Sequence, residues 1–153
     1  MRNSISKFVP GIIIFLSGAI IMIFEIVGSR ILGPYFGTSI FVWTSLIGVI
    51  MGSLSIGYWL GGKISGYRNG LVTLAWIIFI SGLLILATAL GHDYVLRRVI
   101  KYIPEFRLQT ILAVIVLFAP AALCLAMLLP YAAKMVVSNV RTSGSSVGNL
   151  YSL

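Results

Sequence analysis

Glu25 is the residue with the most chemistry to offer, because it is a carboxylate inside the apolar run from Val9 to Arg30. An ionised acid in hydrocarbon costs at least a few kcal/mol unless it is paired or protonated. Two roles suit it: counter-ion for a cation, or a structural group hydrogen-bonded to a neighbouring helix. Arg30 lies about 140° round a helix from Glu25 at 100° per residue, so pairing the two would need unwinding near Gly28. His92 is the other candidate partner. Arg30, Tyr35 and Trp43 complete the set of candidate substrate contacts around Glu25. The stretch Gly33-Pro34-Tyr35-Phe36-Gly37 reads either as a re-entrant turn that forms a pocket or as an aromatic anchor at a membrane boundary. One His and one Cys do not make a recognised metal site, so no metal or cofactor is expected. Asp93 reads as the cap of a following helix, and Cys124 as a small hydrophobe.

The elements that must position these residues follow from the composition. Of 153 residues, 59% are hydrophobic and 9% charged, against roughly a quarter charged in soluble domains. The net charge of +8 comes from 11 Lys+Arg against 3 Asp+Glu. Those basic residues cluster at the ends of apolar runs, which points to a lipid bilayer as partner rather than nucleic acid. The first apolar run is longer than the core of a cleavable signal and should stay as a membrane helix.

A spanning helix needs about 20 largely apolar residues, and four stretches qualify: 9–30, 40–60, 71–90 and 108–129. The fold class is therefore an all-α integral membrane protein, a polytopic bundle of four transmembrane helices in one membrane domain, 1–153. A short interfacial amphipathic helix is added over 93–103, where Leu96, Val99, Ile100 and Ile103 repeat at helical spacing between Arg97, Arg98 and Lys101. Residues 142–153 read as the start of a fifth helix. With the N-terminus cytoplasmic, Arg2, Lys7, Lys63, Arg68, Lys134 and Arg141 lie inside, and Arg30, Arg97, Arg98, Lys101 and Arg107 outside.

Small residues mark where helices approach closely. Gly11, Gly18 and Glu25 lie within about 40° of one another on the first helix, and Gly28 and Ser29 extend the stripe. The second helix has two such faces, Ser45/Gly48/Gly52/Ser55 and Ser53/Gly57/Gly61, which marks it as the centre of the bundle. Its glycines would equally serve a homo-oligomer. The third helix looks peripheral. The fourth carries Pro120 in mid-span, where a kink is expected, and Pro130 ends or bends it.

The run from Phe24 to Ser45, with Glu25, Gly28-Ser29-Arg30, Gly33-Pro34-Tyr35-Phe36-Gly37-Thr38 and Trp43, is followed by Gly57-Tyr58-Trp59-Leu60-Gly61-Gly62-Lys63. Together they resemble the N-terminal membrane region of the fused transporter-like/spermidine synthase family. In that family a bundle like the major facilitator superfamily precedes a soluble aminopropyltransferase-like domain. The resemblance covers most of the chain through Tyr67 and resumes near Pro130 and at Gly148-Asn149-Leu150-Tyr151-Ser152. Residues 57–68 are also similar to the loop after the second helix of major facilitator proteins, except that Gly62 stands where that motif has an acid. That match places Lys63 and Arg68 in a cytoplasmic loop, where they either flank the membrane or dock a soluble partner.

The resemblance implies a non-catalytic membrane domain that anchors, or supplies a cationic substrate such as a polyamine to, a separately encoded aminopropyltransferase-like domain. The acidic residues and glycine-rich loop of the synthase half have no counterpart in this sequence, so no catalytic residue is assigned. The reading from another class is a small oligomeric transporter or channel subunit for a cation or polyamine. A major facilitator half has six helices, so four would need further chains to make one.

Overall fold

The computed structural model describes residues 2–67 and 71–136, with side chains described for 11–65 and 72–134. Five helices follow in order: α1 Arg2–Phe36, α2 Ile40–Tyr67, α3 Leu71–Tyr102, α4 Phe106–Ala126 and α5 Leu128–Val136. Among the described residues there is no strand. Four stretches are long and apolar enough to cross a bilayer, α4 and α5 together supplying the fourth, Phe106–Lys134. The protein is thus a multi-pass helical membrane protein. Short connections make successive spans antiparallel, so one end of the bundle carries the α1–α2 and α3–α4 connections, and the other carries Ser65 and Lys134. The expected fifth helix, 142–153, lies outside the described residues.

The element ends have local causes. α1 closes on Gly37, whose φ of +73° suits only a residue without a Cβ. The Gly37 N–H donates to the Gly33 carbonyl at 2.8 Å, a left-handed C-terminal cap. The turn expected at Gly33–Thr38 is therefore shorter: Gly33, Pro34, Tyr35 and Phe36 form the last turn of α1, not a re-entrant loop. Pro34 removes only the donor to the Arg30 carbonyl, while the flanking Leu32 and Phe36 are buried and hold the turn in place. Ser39 opens α2, its Oγ accepting from the Val42 N–H at 3.4 Å.

Residues 93–102 are helical, as their spacing predicts, but they continue α3 instead of forming a separate helix in the interface. Laying that segment flat would need a sharp break at Gly91, and Gly91 has no positive φ. Leu96 is fully buried, and Val95 and Val99 pack on the same core, so the segment gains more by standing upright against the bundle. The fourth span breaks earlier than Pro130, at Met127. Pro130 has no N–H to offer the Ala126 carbonyl, and the Met127 N–H reaches Leu123 at a long 3.3 Å. Pro120 is carried inside α4 without ending it.

The centre of the bundle is α4, not α2. The α4 span is 56% buried, twice the 28% of α1 and of α2, and α3 is lowest at 22%, in keeping with its peripheral reading. The reason is alanine. Ala113, Ala121, Ala122 and Ala126 are all buried on α4 and let its neighbours close on it. Phe118 fills the middle. Its ring lies 5.0 Å from that of Phe24 and is seated against Gly28, where an added Cβ would come within 2.8 Å of Cε1. Met22, Ile23, Trp59, Phe79 and Leu90 point outward and are exposed, a surface suited to hydrocarbon.

Candidate functional site

Glu25 is half-buried on α1. Among the described residues it has no hydrogen bond and no ion pair. α1 is helical across Gly28, so Arg30 stays on another face and is exposed. His92 is engaged elsewhere, its Nδ1 2.9 Å from the Ala89 carbonyl and its Nε2 3.7 Å from Asp93. Among the described residues the carboxylate therefore has no counter-ion.

Gly18 is in register with Glu25, two turns or about 10 Å along the axis. It lines a cavity of about 530 Å³ between α1, α2 and the α4–α5 span. Ser17, Met22, Tyr58, Leu125 and Leu129 supply much of the rest of the wall. Ser17 turns its hydroxyl back to the Ile14 carbonyl at 2.8 Å, so it offers the cavity little polarity. Met22 and Phe15 on the rim are exposed, which opens the cavity sideways toward lipid. A smaller apolar cavity of about 210 Å³ separates α1 from α3 between Ile20, Ser81, Gly82 and Ile85.

The remaining candidate contacts are not gathered around Glu25. Tyr35 lies ten residues on, about 15 Å along the helix, and its hydroxyl donates to Oδ1 of Asp93. Asp93 therefore ties α3 to α1 and caps no helix, since α3 runs through it. Trp43 is on the first turns of α2 and exposed. Lys63 lies inside α2 rather than in a loop, with its ammonium 5.2 Å above the Trp59 ring. Arg68 lies outside the described residues.

The glycines divide in the same way. Gly57 and Gly61 are true close approaches: an added Cβ would stand 2.5 Å from the Leu123 carbonyl oxygen or 2.6 Å from that of Met127. Gly28 is the third. Gly11 is half-buried, and at Gly18, Gly48 and Gly52 an added Cβ meets nothing within 4 Å.

Sequence reasoning missed three polar links. Besides Tyr35–Asp93, the Thr88 hydroxyl lies 2.7 Å from the Leu117 carbonyl, and the Lys134 ammonium donates to the Ser65 carbonyl. No periodicity marks such pairs; each joins residues distant in the chain. Among the described residues no group of three or more His, Cys, Asp or Glu side chains is placed to hold a metal. Comparison with family models, with curated proteins and with solved structures finds no match to this chain.

Proposed function

We propose that this chain is the membrane module of a spermidine synthase-like system, anchoring or supplying a cationic substrate to an aminopropyltransferase-like domain on another chain. The observation that carries the proposal is Glu25: a half-buried acid within a membrane span, with no partner among the described residues. An acid held in that state is costly, and a cation is what would relieve it. The apolar cavity in register with it suits the methylene segments of an aliphatic polyamine, while the carboxylate suits an ammonium. The module sits in the cell membrane with its N-terminus cytoplasmic, so that Lys63 and Lys134 face the soluble partner.

Reconstituted protein and its Glu25→Gln variant should be compared for spermidine binding and for uptake into liposomes. The expected result is binding that the variant loses, with no uptake by the chain alone. No binding by the parent protein would overturn the reading. Labelling of Lys63→Cys from outside, in a Cys124→Ser background, would reverse the orientation.

The open face of α2 favours a second reading, an oligomeric transporter or channel subunit. Gly48 and Gly52 have empty space above them, and Ser55 on the same stripe is exposed. Uptake by the chain alone, lost with Gly52→Leu together with the oligomer, would establish that reading over the first.

A further inference from the structure

α3 is longer than a membrane requires. Its 32 residues span about 48 Å, whereas hydrocarbon is about 30 Å thick, so the last turns of the helix stand in the headgroup region. Leu96, wholly buried, holds that extension against the bundle, so its outer face is presented at fixed height instead of floating on a loop.

That face has a definite order. Tyr94, Arg98 and Tyr102 follow at four-residue spacing, with Lys101 beside them. The Arg98 guanidinium lies 4.9 Å from the Tyr94 ring and 5.9 Å from that of Tyr102, and the Lys101 ammonium 5.7 Å from Tyr102. All four residues are exposed. Arg97, on the adjoining row, is different: it lies close enough to Asp93 and Tyr35 for its charge to act on both. Among the described residues, Arg98 and Lys101 have no carboxylate partner.

We infer that Tyr94, Arg98, Lys101 and Tyr102 form a binding site for the phosphate of an anionic phospholipid in the leaflet at this end of the bundle. The flanking rings attract the guanidinium, and its forked N–H donors match phosphate oxygens. Lys101 supplies the second charge, and tyrosine is at home at headgroup depth. A lipid is favoured over a soluble anion because the patch is fixed at the level where headgroups lie and continues directly from the lipid-facing surface of α3, where Leu86 and Leu90 are exposed.

The test is native mass spectrometry of the full chain in detergent, titrated with phosphatidylglycerol or phosphatidylcholine. The parent protein should retain phosphatidylglycerol preferentially. Replacing Arg98 with Gln should lower that preference about fivefold, and adding Lys101→Gln should lower it about 25-fold in all. Tyr94→Leu/Tyr102→Leu, which keeps both charges, should lower it less. Thermal unfolding without lipid should not change, which separates loss of a site from loss of fold. Equal retention of both lipids by the parent, or an undiminished preference in the double glutamine variant, overturns the inference. So does binding of inositol hexakisphosphate through the same residues without any preference between lipids, which would assign the patch to a soluble partner.

Discussion

The hydroxyl of Tyr35, on the last turn of α1, donates to the carboxylate of Asp93 on α3, 58 residues away in sequence. Lower down, an apolar cavity separates the same two helices, so this bond fastens the connection end of an otherwise loose pair. Tyr35→Phe keeps the ring and removes the donor. Paired spin labels on α1 and α3 should then report a broader distance distribution at that end and an unchanged one near Ser81. An unchanged distribution at both levels would mean that packing alone sets the spacing.

Gly57 and Gly52, five residues apart on α2, should respond in opposite ways to the same substitution. At Gly57 an alanine Cβ would press on the backbone of α4, 2.5 Å from the Leu123 oxygen and 2.6 Å from the Ala126 Cβ. Backbone does not give way as a side-chain tip does, so Gly57→Ala should destabilise by about 1–3 kcal/mol. At Gly52 the Cβ has open space, and the better helix propensity of alanine should give a gain of about 0.5–1 kcal/mol. Unfolding in mixed micelles checks both. A loss at Gly52 comparable to that at Gly57 would show that the open face is covered in the assembled protein.

These two glycines also show how far the sequence could be read. The four spans are legible because hydrocarbon demands long apolar helices whatever their neighbours do. Which face packs inward is not, because glycine and serine mark permission for close approach, not its use. Gly57 uses it and Gly52 does not. Alanine is the quieter signal: Ala113, Ala121 and Ala122 identify α4 as the central helix, yet alanine is common in any helix and stands out less than a glycine stripe. The site was legible in part for the same reason. Glu25 could be picked out as a lone acid in an apolar run. That Arg30 lies away from it follows from α1 staying helical across Gly28, whereas the distance of Tyr35 and Trp43 depends on α1 continuing through Pro34, and a glycine-proline pair normally argues for a stop.

Thr88 should act as a latch beside Pro120. The proline leaves the Val116 carbonyl without its helical donor, and a cavity of about 170 Å³ lined by Thr88, Val116 and Pro120 lies there, between α3 and α4. The buried Thr88 hydroxyl bonds the adjacent Leu117 carbonyl across the interface at 2.7 Å, while also lying 3.0 Å from Leu84 on its own helix. Thr88→Val preserves shape and removes the donor. The expected loss is about 0.6 kcal/mol, the average for hydrogen bonds between membrane helices. Amide exchange around residues 117–121 should quicken, whereas no change in exchange there would assign the hydroxyl to its own helix alone.

Glu25→Leu separates the two roles open to the acid. If Glu25 is kept for a cation, its unpartnered carboxylate burdens the resting fold, since an acid near mid-membrane costs about 2.5–3.5 kcal/mol on insertion scales. Leucine should then raise resistance to unfolding in lipid by a sizeable part of that amount, while abolishing spermidine binding. If Glu25 instead joins helices by a hydrogen bond, leucine should lower stability by about 1 kcal/mol, because a neighbouring polar group would lose its partner. Glu25→Gln sharpens the comparison: it keeps hydrogen bonding and removes the charge, so it restores stability under the second role and still fails to bind spermidine under the first. The absence of any partner for Glu25 among the described residues makes the stabilising outcome the expected one. A destabilised leucine variant that still binds spermidine would remove Glu25 from the proposed function altogether.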